Sequence, residues 1–353
     1  MDLKSSLGNI NVDESLKGIK RIVLSVFPTP LQKGFTHEKG VTIWLKRDDL
    51  TGLGLGGNKV RKLEFLLGDA LDKGCDTLVT FGALQSNHAR LTAAAGAVCG
   101  MEVHLVLAVK ENSNSTNVGG NIDVARHFGA SIHFVEGDVL EAESFARDLC
   151  SSLSQKKKNP YFIPVGGSNG LSTLGYTVAM SETVRQIDEK HIKTSGLYVA
   201  SSTRGTQAGL VAGLALIKSR HIRSGYSRDS IPKVVGVDVS QSTPRTNVVK
   251  FARGALDALG RGELEIENEV FFADTGNLEK NFSEYGRLTK SADEASIYAA
   301  KNLGIILDRT YCAKAFAALL NDIDRGMFSK GDNVVFLASG GHPSMFSSPG
   351  FPS

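Results

Sequence analysis

The sequence contains few cysteines, and their spacing suits neither a metal site nor a disulfide framework. Cys75, Cys99, Cys150 and Cys312 are spread along 353 residues without a C-x-x-C pair. A zinc site needs closely spaced ligands, and a small disulfide-stabilised domain needs a much higher density of cysteine. We therefore expect neither feature, and a reducing compartment fits best.

Long apolar runs and concentrated charge are also missing. No stretch approaches the ~18 unbroken apolar residues of a membrane span, and residues 1–12 lack the apolar core of a secretory signal. The 40 basic and 37 acidic residues leave a net charge of +3, and the one dense basic run, residues 156–158, is typical of a solvated loop. We expect no membrane and no nucleic-acid partner. A cytoplasmic location is the prediction, with a short organellar address left open.

The sequence does contain a regular alternation of strand-like and helix-like segments. Short β-branched and aliphatic runs predict strands, and apolar residues at helical spacing predict helices between them. Such alternation is typical of βαβ units, in which helices cover both faces of a parallel sheet, so the predicted fold class is α/β. The predicted strands are 41–45, 77–80, 102–107, 131–134, 196–200, 233–239 and 333–338, and the predicted helices include 62–73, 89–99 and 207–217.

The length favours two domains with a cleft between them, since single domains usually hold about 100–200 residues. The strand around Trp44 needs partners, and the segment after residue 196 supplies several strands. We therefore predict a large discontinuous domain of residues 1–69 and 179–353, with a small α/β domain of residues 70–178 inserted in it.

A lysine stands at the predicted start of a helix, directly after glycines. Gly56 and Gly57 precede Asn58 and Lys59. Glycines let a bulky ligand approach the main chain, and the positive end of a helix lowers the pKa of a nearby ammonium, as a Schiff-base lysine requires. The pattern alone is equally compatible with a lysine on the surface.

Small or polar residues follow several predicted strands. Residues 85–89 open a helix, so their amides form either an anion site or a plain helix cap. Residues 201–207 form a polar turn between a predicted strand and a predicted helix, an arrangement that suits a phosphate, although the turn lacks the nucleotide-binding motifs GK[ST] and GxGxxG. Residues 308–312 and 339–343 form two further turns. Ligands of open α/β sheets gather at the carboxyl ends of strands, so we expect one common cleft.

In order and spacing, six segments resemble the family of D-cysteine desulfhydrases and 1-aminocyclopropane-1-carboxylate (ACC) deaminases. The resemblance runs from about Phe27 to Pro343 and implies a two-domain, tryptophan-synthase-β-like fold (fold type II). It also implies a pyridoxal 5'-phosphate cofactor in the interdomain cleft and a homodimer. The segments are GLGLGGNKVRKLEFLLGDAL, FGALQSNHARLTAAAGAVCG, YFIPVGGSNGLSTLGY, ASSTRGTQAGLVAGLAL, LDRTYCAKAFAAL and FLASGGHP.

The resemblance assigns the cofactor contacts. It implies that Lys59 holds the cofactor as a Schiff base and that Asn87 bonds its ring hydroxyl. Relatives commonly have glycine at position 202 and a small residue at position 204, and the arginine at 204 either faces solvent or contacts the phosphate or an anionic substrate group. The residues that would bind the phosphate are Lys62, Ser202, Thr203, Arg204, Gly205 and Thr206.

The resemblance also assigns substrate contacts. Ser86, Asn87 and His88 would bind the substrate carboxylate, and Tyr285 and Tyr311 match the family's catalytic tyrosines. The match at Tyr285 is weaker, because relatives usually have a proline soon after it where this chain reads RL.

Two positions favour one reaction within the family. ACC deaminases have glutamate directly after the tyrosine matched by Tyr311, and leucine before the GG pair. This chain has Cys312 and Ser339 there, and Ser339 would lie beside the pyridine nitrogen of the cofactor. A hydroxyl there makes the cofactor a weaker electron sink than a carboxylate does, which suits loss of a good β leaving group. We predict conversion of D-cysteine to pyruvate, hydrogen sulfide and ammonia.

Other activities stay open at this point. An L-cysteate sulfo-lyase could use Arg204 or His342 for the sulfonate, and a lyase acting on another β-substituted alanine would share the same motifs. ACC deamination and a non-catalytic, cofactor-binding protein are further alternatives, and the presence of Lys59 argues against the last.

Overall fold

A computed structural model describes residues 16–109, 119–219, 230–241 and 243–347. The polar composition of residues 112–120 predicts a loop, and residues 347–353 are expected to form a loose end; most of both segments lies outside the described ranges. In the described part, no helix has the length and apolar character needed to cross a bilayer.

The larger of two sheets has six strands in the order β1-β2-β10-β7-β8-β9. The first pair is antiparallel and the other neighbouring pairs are parallel. This sheet joins the first strands of the chain to the last. Its strands are β1 (Leu31–Thr36), β2 (Thr42–Arg47), β7 (Thr194–Ser201), β8 (Lys233–Asp238), β9 (Phe271–Phe272) and β10 (Asn333–Ala338).

The smaller sheet has four parallel strands in the order β5-β4-β3-β6. It is built from one continuous part of the chain. Its strands are β3 (Thr77–Ala83), β4 (Glu102–Val109), β5 (Ser131–Glu136) and β6 (Pro160–Ile163).

Nine α-helices in the described residues cover both sheets. One apolar cluster lies between the larger sheet and α5–α7, and another lies between its opposite face and α8 and α9. Two more clusters flank the smaller sheet. The helices are α1 (Lys59–Asp72), α2 (Asn87–Cys99), α3 (Asn121–His127), α4 (Val139–Gln155), α5 (Gly170–Glu189), α6 (Gly205–Ser219), α7 (Asn247–Ala258), α8 (Lys290–Leu303) and α9 (Cys312–Asp324).

The α/β fold class is confirmed, and all seven predicted strands are present. Strands β1, β6 and β9 were not predicted, because β1 (LQKGFT) contains several polar residues and a glycine, β6 has only four residues and β9 has two. The domain bounds stay a prediction. Helices α1 and α5 run across residues 70 and 178, so neither bound lies in a loop.

A buried ion cluster fixes the position of α1 under the cleft. Arg61 in α1 bonds Asp48 at 2.8 Å and Glu182 of α5 at 2.9 Å, and Lys46 of β2 also contacts Glu182. Burial opposes ionisation of Asp48, but the guanidinium of Arg61 lowers the pKa of this carboxyl to about 2. The cluster ties β2, α1 and α5 together directly behind Lys59.

Candidate active site

A cavity of 440 Å³ lies at the carboxyl ends of β3, β7 and β10, where the amino ends of α1, α2 and α6 also meet. All but two of the site residues predicted from the sequence border it, so the structure brings them together. Those on the wall are Lys59, Ser86, Asn87, His88, Ser202, Thr203, Arg204, Thr206, Tyr285, Tyr311 and Ser339. Lys62 and Gly205 lie directly behind the wall.

Lys59 is the first residue of α1, and its amine faces the cavity. The chain reaches this position through Gly56, which has φ 70° and whose Cβ, if present, would lie 2.0 Å from the carbonyl oxygen of Asp49. The Lys59 Nζ donates to the Gly166 carbonyl at 3.2 Å. Burial lowers the pKa of Lys59 to about 8. About a tenth of this amine is therefore neutral at pH 7, against less than about a thousandth for a lysine in water, and Schiff-base formation requires this neutral form.

The phosphate loop at the start of α6 faces a second lysine. Lys62 Nζ donates to Ser168 Oγ at 2.8 Å, and Ser168 bonds the Thr203 hydroxyl at 2.7 Å. A Cβ on Gly205 would lie 2.7 Å from Lys62 Nζ, so only glycine permits this approach. Asn58 Nδ2 donates to Thr206 Oγ1 at 3.0 Å and joins the loop to the start of α1. Helix amides, hydroxyls and an ammonium together form an anion site.

The two neighbouring lysines favour an anionic ligand. Burial lowers the pKa of Lys62 well below its ordinary value, and the charge of Lys59 lowers it further. Within the described chain neither lysine forms an ion pair with a carboxylate. A phosphate bound at the loop would supply the negative charge that the two lysines lack as a partner, so these residues fit pyridoxal 5'-phosphate. Ser168 was missed as a site residue, although it lies in the GGSNG segment of the family motif.

Arg204 corrects one expectation. Its side chain is 2% exposed, so the expectation that it faces solvent is wrong. The guanidinium forms an ion pair with Asp238 at 2.9 Å and donates to the carbonyls of Ser240 and Thr243 at 2.9 and 2.6 Å. Because these bonds hold it at the ends of β7 and β8, we assign only the main chain of Arg204 to the phosphate loop.

Helix α2 begins at the cavity with a second set of free amides. Ser86 is its N-cap, and its Oγ accepts from Ala89 N at 3.2 Å. The helix-cap interpretation is therefore correct, but the hydroxyl proton and the first amides of the helix remain able to bind a carboxylate. His88 is buried, and its Nε2 bonds Thr80 Oγ1 at 3.0 Å. Burial lowers its pKa well below the ordinary value, so the ring is neutral.

The orientation of Asn87 is set by a residue that the sequence did not single out. Asn121 Nδ2 donates to Asn87 Oδ1 at 3.0 Å, which leaves the Asn87 Nδ2 as the group available to a cofactor hydroxyl. The Asn121 Oδ1 in turn accepts from Arg90 at 2.7 Å. Arg90 also donates to the carbonyls of Gly54 and Gly56, in the loop that precedes Lys59.

The two predicted tyrosines form a pair. The hydroxyls of Tyr285 and Tyr311 are 2.7 Å apart, and their rings meet edge to face. Burial raises the pKa of both phenols. Each hydroxyl therefore keeps its proton at neutral pH, and the pair can hold a proton over the cavity.

At the cavity wall, the residue after β10 presents a neutral group next to the start of α1. Ser339 Oγ lies 3.1 Å from Cys312 Sγ, and burial raises the pKa of this thiol well above its ordinary value. The nearby carboxylate of Asp308 accepts the amides of Thr310, Tyr311 and Cys312 at 2.9–3.1 Å and so caps α9. No group of side chains in the described ranges has the composition of a metal site.

Comparisons with known proteins agree with this geometry. Residues 22–340 match the family model described as "Pyridoxal-phosphate dependent enzyme". A Pyrococcus abyssi protein, provisionally named 1-aminocyclopropane-1-carboxylate deaminase, is 34% identical over 340 residues, covering 95% of this chain and 96% of that protein. The D-cysteine desulfhydrase of Serratia proteamaculans is 32% identical over 348 residues, covering 96% and 98%.

A solved structure shares the whole fold. The crystal structure of an ACC deaminase homologue is 32% identical, has a TM-score of 0.80, and covers 94% of this chain and 95% of that chain. The predicted fold and cofactor are thereby confirmed. The similar proteins are named for different substrates, so the choice of substrate depends on the site itself.

Proposed function

Because the chain belongs to the family of pyridoxal-phosphate-dependent enzymes, we propose that it is a lyase that converts D-cysteine to pyruvate, hydrogen sulfide and ammonia. The contact between Cys312 and Ser339 carries the proposal. A thiol and a hydroxyl stand where the ring-opening deaminases of the family have glutamate and leucine, so these two neutral side chains would lie beside the nitrogen of the bound cofactor. The bound cofactor supplies an electron sink for bond cleavage at the substrate Cα.

The charges around the cavity argue against a sulfonate substrate such as L-cysteate. Arg204 is engaged by Asp238, and His88 is neutral. His342 borders a different cavity, at 4.0 Å from Asp49. The mouth of the site carries Asp138 and Glu143 instead. Among the described residues that line the cavity, the cations are Lys59, which the proposal assigns to the cofactor, and Arg204, which Asp238 already pairs, so neither is left for a second negative charge on the substrate, whereas the thiol of cysteine needs no cation.

The side chains divide the reaction between them. The Ser86 hydroxyl and the first amides of α2 bind the substrate carboxylate and fix its orientation. Lys59 Nζ, with its lowered pKa, accepts the proton that leaves Cα. The Tyr311 hydroxyl, held by Tyr285, keeps a proton for the departing sulfur.

A steady-state panel tests the assignment. Release of keto acid and ammonia is measured with D-cysteine, L-cysteine, D-serine, L-cysteate, β-chloro-D-alanine and ACC, and Lys59→Ala serves as the inactive control. We expect the highest kcat/KM with D-cysteine and little or no turnover of L-cysteate and ACC. Release of α-ketobutyrate from ACC as fast as pyruvate from D-cysteine would contradict the argument from Cys312 and Ser339.

Assembly and location are part of the proposal. The resemblance to the family supports a homodimer, which sedimentation equilibrium of the purified holoenzyme would reveal as twice the chain mass of 37.7 kDa. A cytoplasmic location is proposed because the scattered cysteines, none of them in a C-x-x-C pair, fit a reducing compartment, and fractionation of cells tests it.

A further inference from the structure

A buried lysine near the tyrosine pair has no role in the scheme above. Lys314 lies in the first turn of α9, has no solvent exposure, and does not border the cavity. Its Nζ donates to the carbonyl oxygen of Glu284 at 2.8 Å, and the ring centroid of Phe282 lies 5.8 Å from it. No carboxylate in the described chain forms an ion pair with this amine. Burying an ammonium without an ion-pair partner is costly, so its position needs a reason.

The lysine joins the two segments that carry the tyrosines. It follows Tyr311 by three residues on the same helix, and the carbonyl that it binds belongs to the residue directly before Tyr285. The other contacts of the Tyr285 segment are the buried ring of Phe282, a bond from Gln241 N to Ser283 O at 3.2 Å, and short-range turn bonds such as that from Arg287 N to the Glu284 carbonyl at 3.3 Å. Tyr285 itself is 42% exposed and lies outside any helix or strand. Packing alone therefore fixes it weakly.

We propose that Lys314 is a positioning residue that holds Tyr285 against Tyr311. The inference rests on the proposed function, because it assumes that the tyrosine pair serves the reaction. Lys314 fixes the main chain before Tyr285 relative to the helix that begins after Tyr311, and the 2.7 Å contact between the hydroxyls follows from this bond. Burial lowers the pKa of Lys314 to about 8, so the amine donates as an ammonium at neutral pH.

A double-mutant cycle tests the proposal in the holoenzyme. Lys314→Met keeps the length of the side chain and removes its donor. A general acid or base contributes about 10²-fold or more to the rate, so the loss of kcat in Tyr285→Phe is the reference with which the loss in Lys314→Met is compared. We expect Lys314→Met to lower kcat by about tenfold or more within that range, with KM and the cofactor absorbance unchanged. In the Tyr285→Phe background the same substitution should change kcat by less than about twofold, because coupled residues are not additive.

Several outcomes would overturn the proposal. Equal losses in both backgrounds would mean that Lys314 acts independently of Tyr285. If Lys314→Met does not fold, Lys314→Gln retains a neutral donor and should keep part of kcat; failure of both to fold would assign Lys314 to the stability of the whole domain. Lys301→Met, on the exposed face of α8, is the matched control and should leave kcat unchanged.

Hydrogen exchange separates this proposal from the proposed function. In the Lys314→Met holoenzyme we expect faster amide exchange in the peptide that contains residues 281–288, and unchanged exchange in β3 and β7. Unchanged exchange at 281–288 would overturn the role of Lys314. A wild-type protein inactive on every amino acid of the panel would instead overturn the proposed function, while the exchange result would still report on the contact.

Discussion

At the scale of single residues, the amine of Lys59 determines when the site is ready to bind its cofactor. Burial brings the pKa of Lys59 to about 8, against about 10.4 for a lysine in water. In the role proposed for Lys59, the neutral form of its amine would react with the cofactor aldehyde, so the neutral fraction would limit the rate of covalent binding. Lys62 is not proposed for this role, because it does not border the cavity and its Nζ is held by Ser168.

We predict that the apoprotein binds pyridoxal phosphate covalently at a rate that rises with pH and has a midpoint near 8. The sign follows from the lowered pKa, since the neutral fraction is small below pH 8 and nearly complete above it. The growth of Schiff-base absorbance after mixing, measured across pH 6.5–9.5 or so, checks this. Lys59→Ala should show no such band, and a midpoint near 10 would place this amine in water.

The residues beside the cofactor nitrogen allow a second prediction. Replacing Cys312 by glutamate and Ser339 by leucine installs the pattern of the ring-opening deaminases at the place where Cys312 Sγ now meets Ser339 Oγ. The carboxylate would keep the cofactor nitrogen protonated and strengthen the electron sink. We expect the double variant to gain turnover of ACC and to lose turnover of D-cysteine, both followed by keto-acid release. A double variant that keeps the wild-type preference would place the selectivity elsewhere.

Sequence reasoning found eleven of the residues on the cavity wall, and Lys62 and Gly205 behind it, but it missed Ser168 and Asn121, which hold predicted residues in place. Lys59, Ser86 and Tyr311 stand in motifs whose residue types suggest chemistry. Ser168 and Asn121 are ordinary polar residues, and what gives them a role is a contact with a residue more than thirty positions away. The destination of the Arg204 side chain was unpredictable for the same reason, because Asp238 is a partner only once β7 and β8 are paired.

At the scale of helices and strands, the amino ends of several helices meet at the site, and one series of hydrogen bonds aligns them. Arg90 of α2 contacts the carbonyl of Gly56 at 3.0 Å, and Asn121 at the start of α3 links Arg90 to Asn87. Burial lowers the pKa of Arg90 to about 10, so it remains charged at neutral pH. The chain connects the Lys59 loop with the start of α2 and so fixes two cofactor contacts relative to each other.

We predict that Asn121→Ala weakens cofactor binding without preventing folding. The substitution removes the donor that orients the Asn87 amide, and one lost hydrogen bond is worth about 0.5–1.5 kcal/mol, or roughly 2- to 12-fold in the dissociation constant. Absorbance titration of the apoprotein with pyridoxal phosphate measures the change. In an Asn87→Ala background Asn121→Ala should have a much smaller effect, and an equal effect in both would contradict the link.

The elements were easier to predict than their neighbours in the sheet. Strands β3, β4, β7, β8 and β10 are buried apolar runs of six residues or more, which a single sequence reveals directly. The place of β10 between β2 and β7 is set by crossovers through distant parts of the chain. The periodicity of a single sequence carries no information about which strands become neighbours, so the strand order was not predicted.

At the scale of the whole molecule, the buried ion cluster connects parts of the chain that are far apart in sequence. Arg61, Asp48 and Glu182 are almost fully enclosed, and the phenol of Tyr176 also bonds Asp48. The net charge of the cluster is zero only when all four groups are present, since Lys46 and Arg61 balance the two carboxylates. Loss of one cation leaves a buried carboxylate without compensation.

The last prediction is that Arg61→Met destabilises the holoenzyme by about 3–5 kcal/mol, the usual result of removing one partner of a buried ion pair. Urea unfolding at saturating cofactor measures the free energy of unfolding, and Lys290→Met, in an exposed pair with Glu294, is a control expected to change it by about 1 kcal/mol at most.

The pH dependence of this loss shows whether the charge of Arg61 is responsible. In the wild type the lowered pKa of Asp48 contributes stability at pH values above the pKa of about 3.9 in the unfolded chain, and this contribution is lost as the pH falls to about 2. In the variant the charge and hydrogen bonds of Arg61 are lost while Lys46 and the Tyr176 phenol remain, so burial is less opposed and the pKa of Asp48 rises relative to the wild type. The difference in stability between the two proteins should therefore be largest at neutral pH and narrow below about pH 4, whereas a difference that is constant with pH would show that Arg61 contributes through packing rather than through its charge.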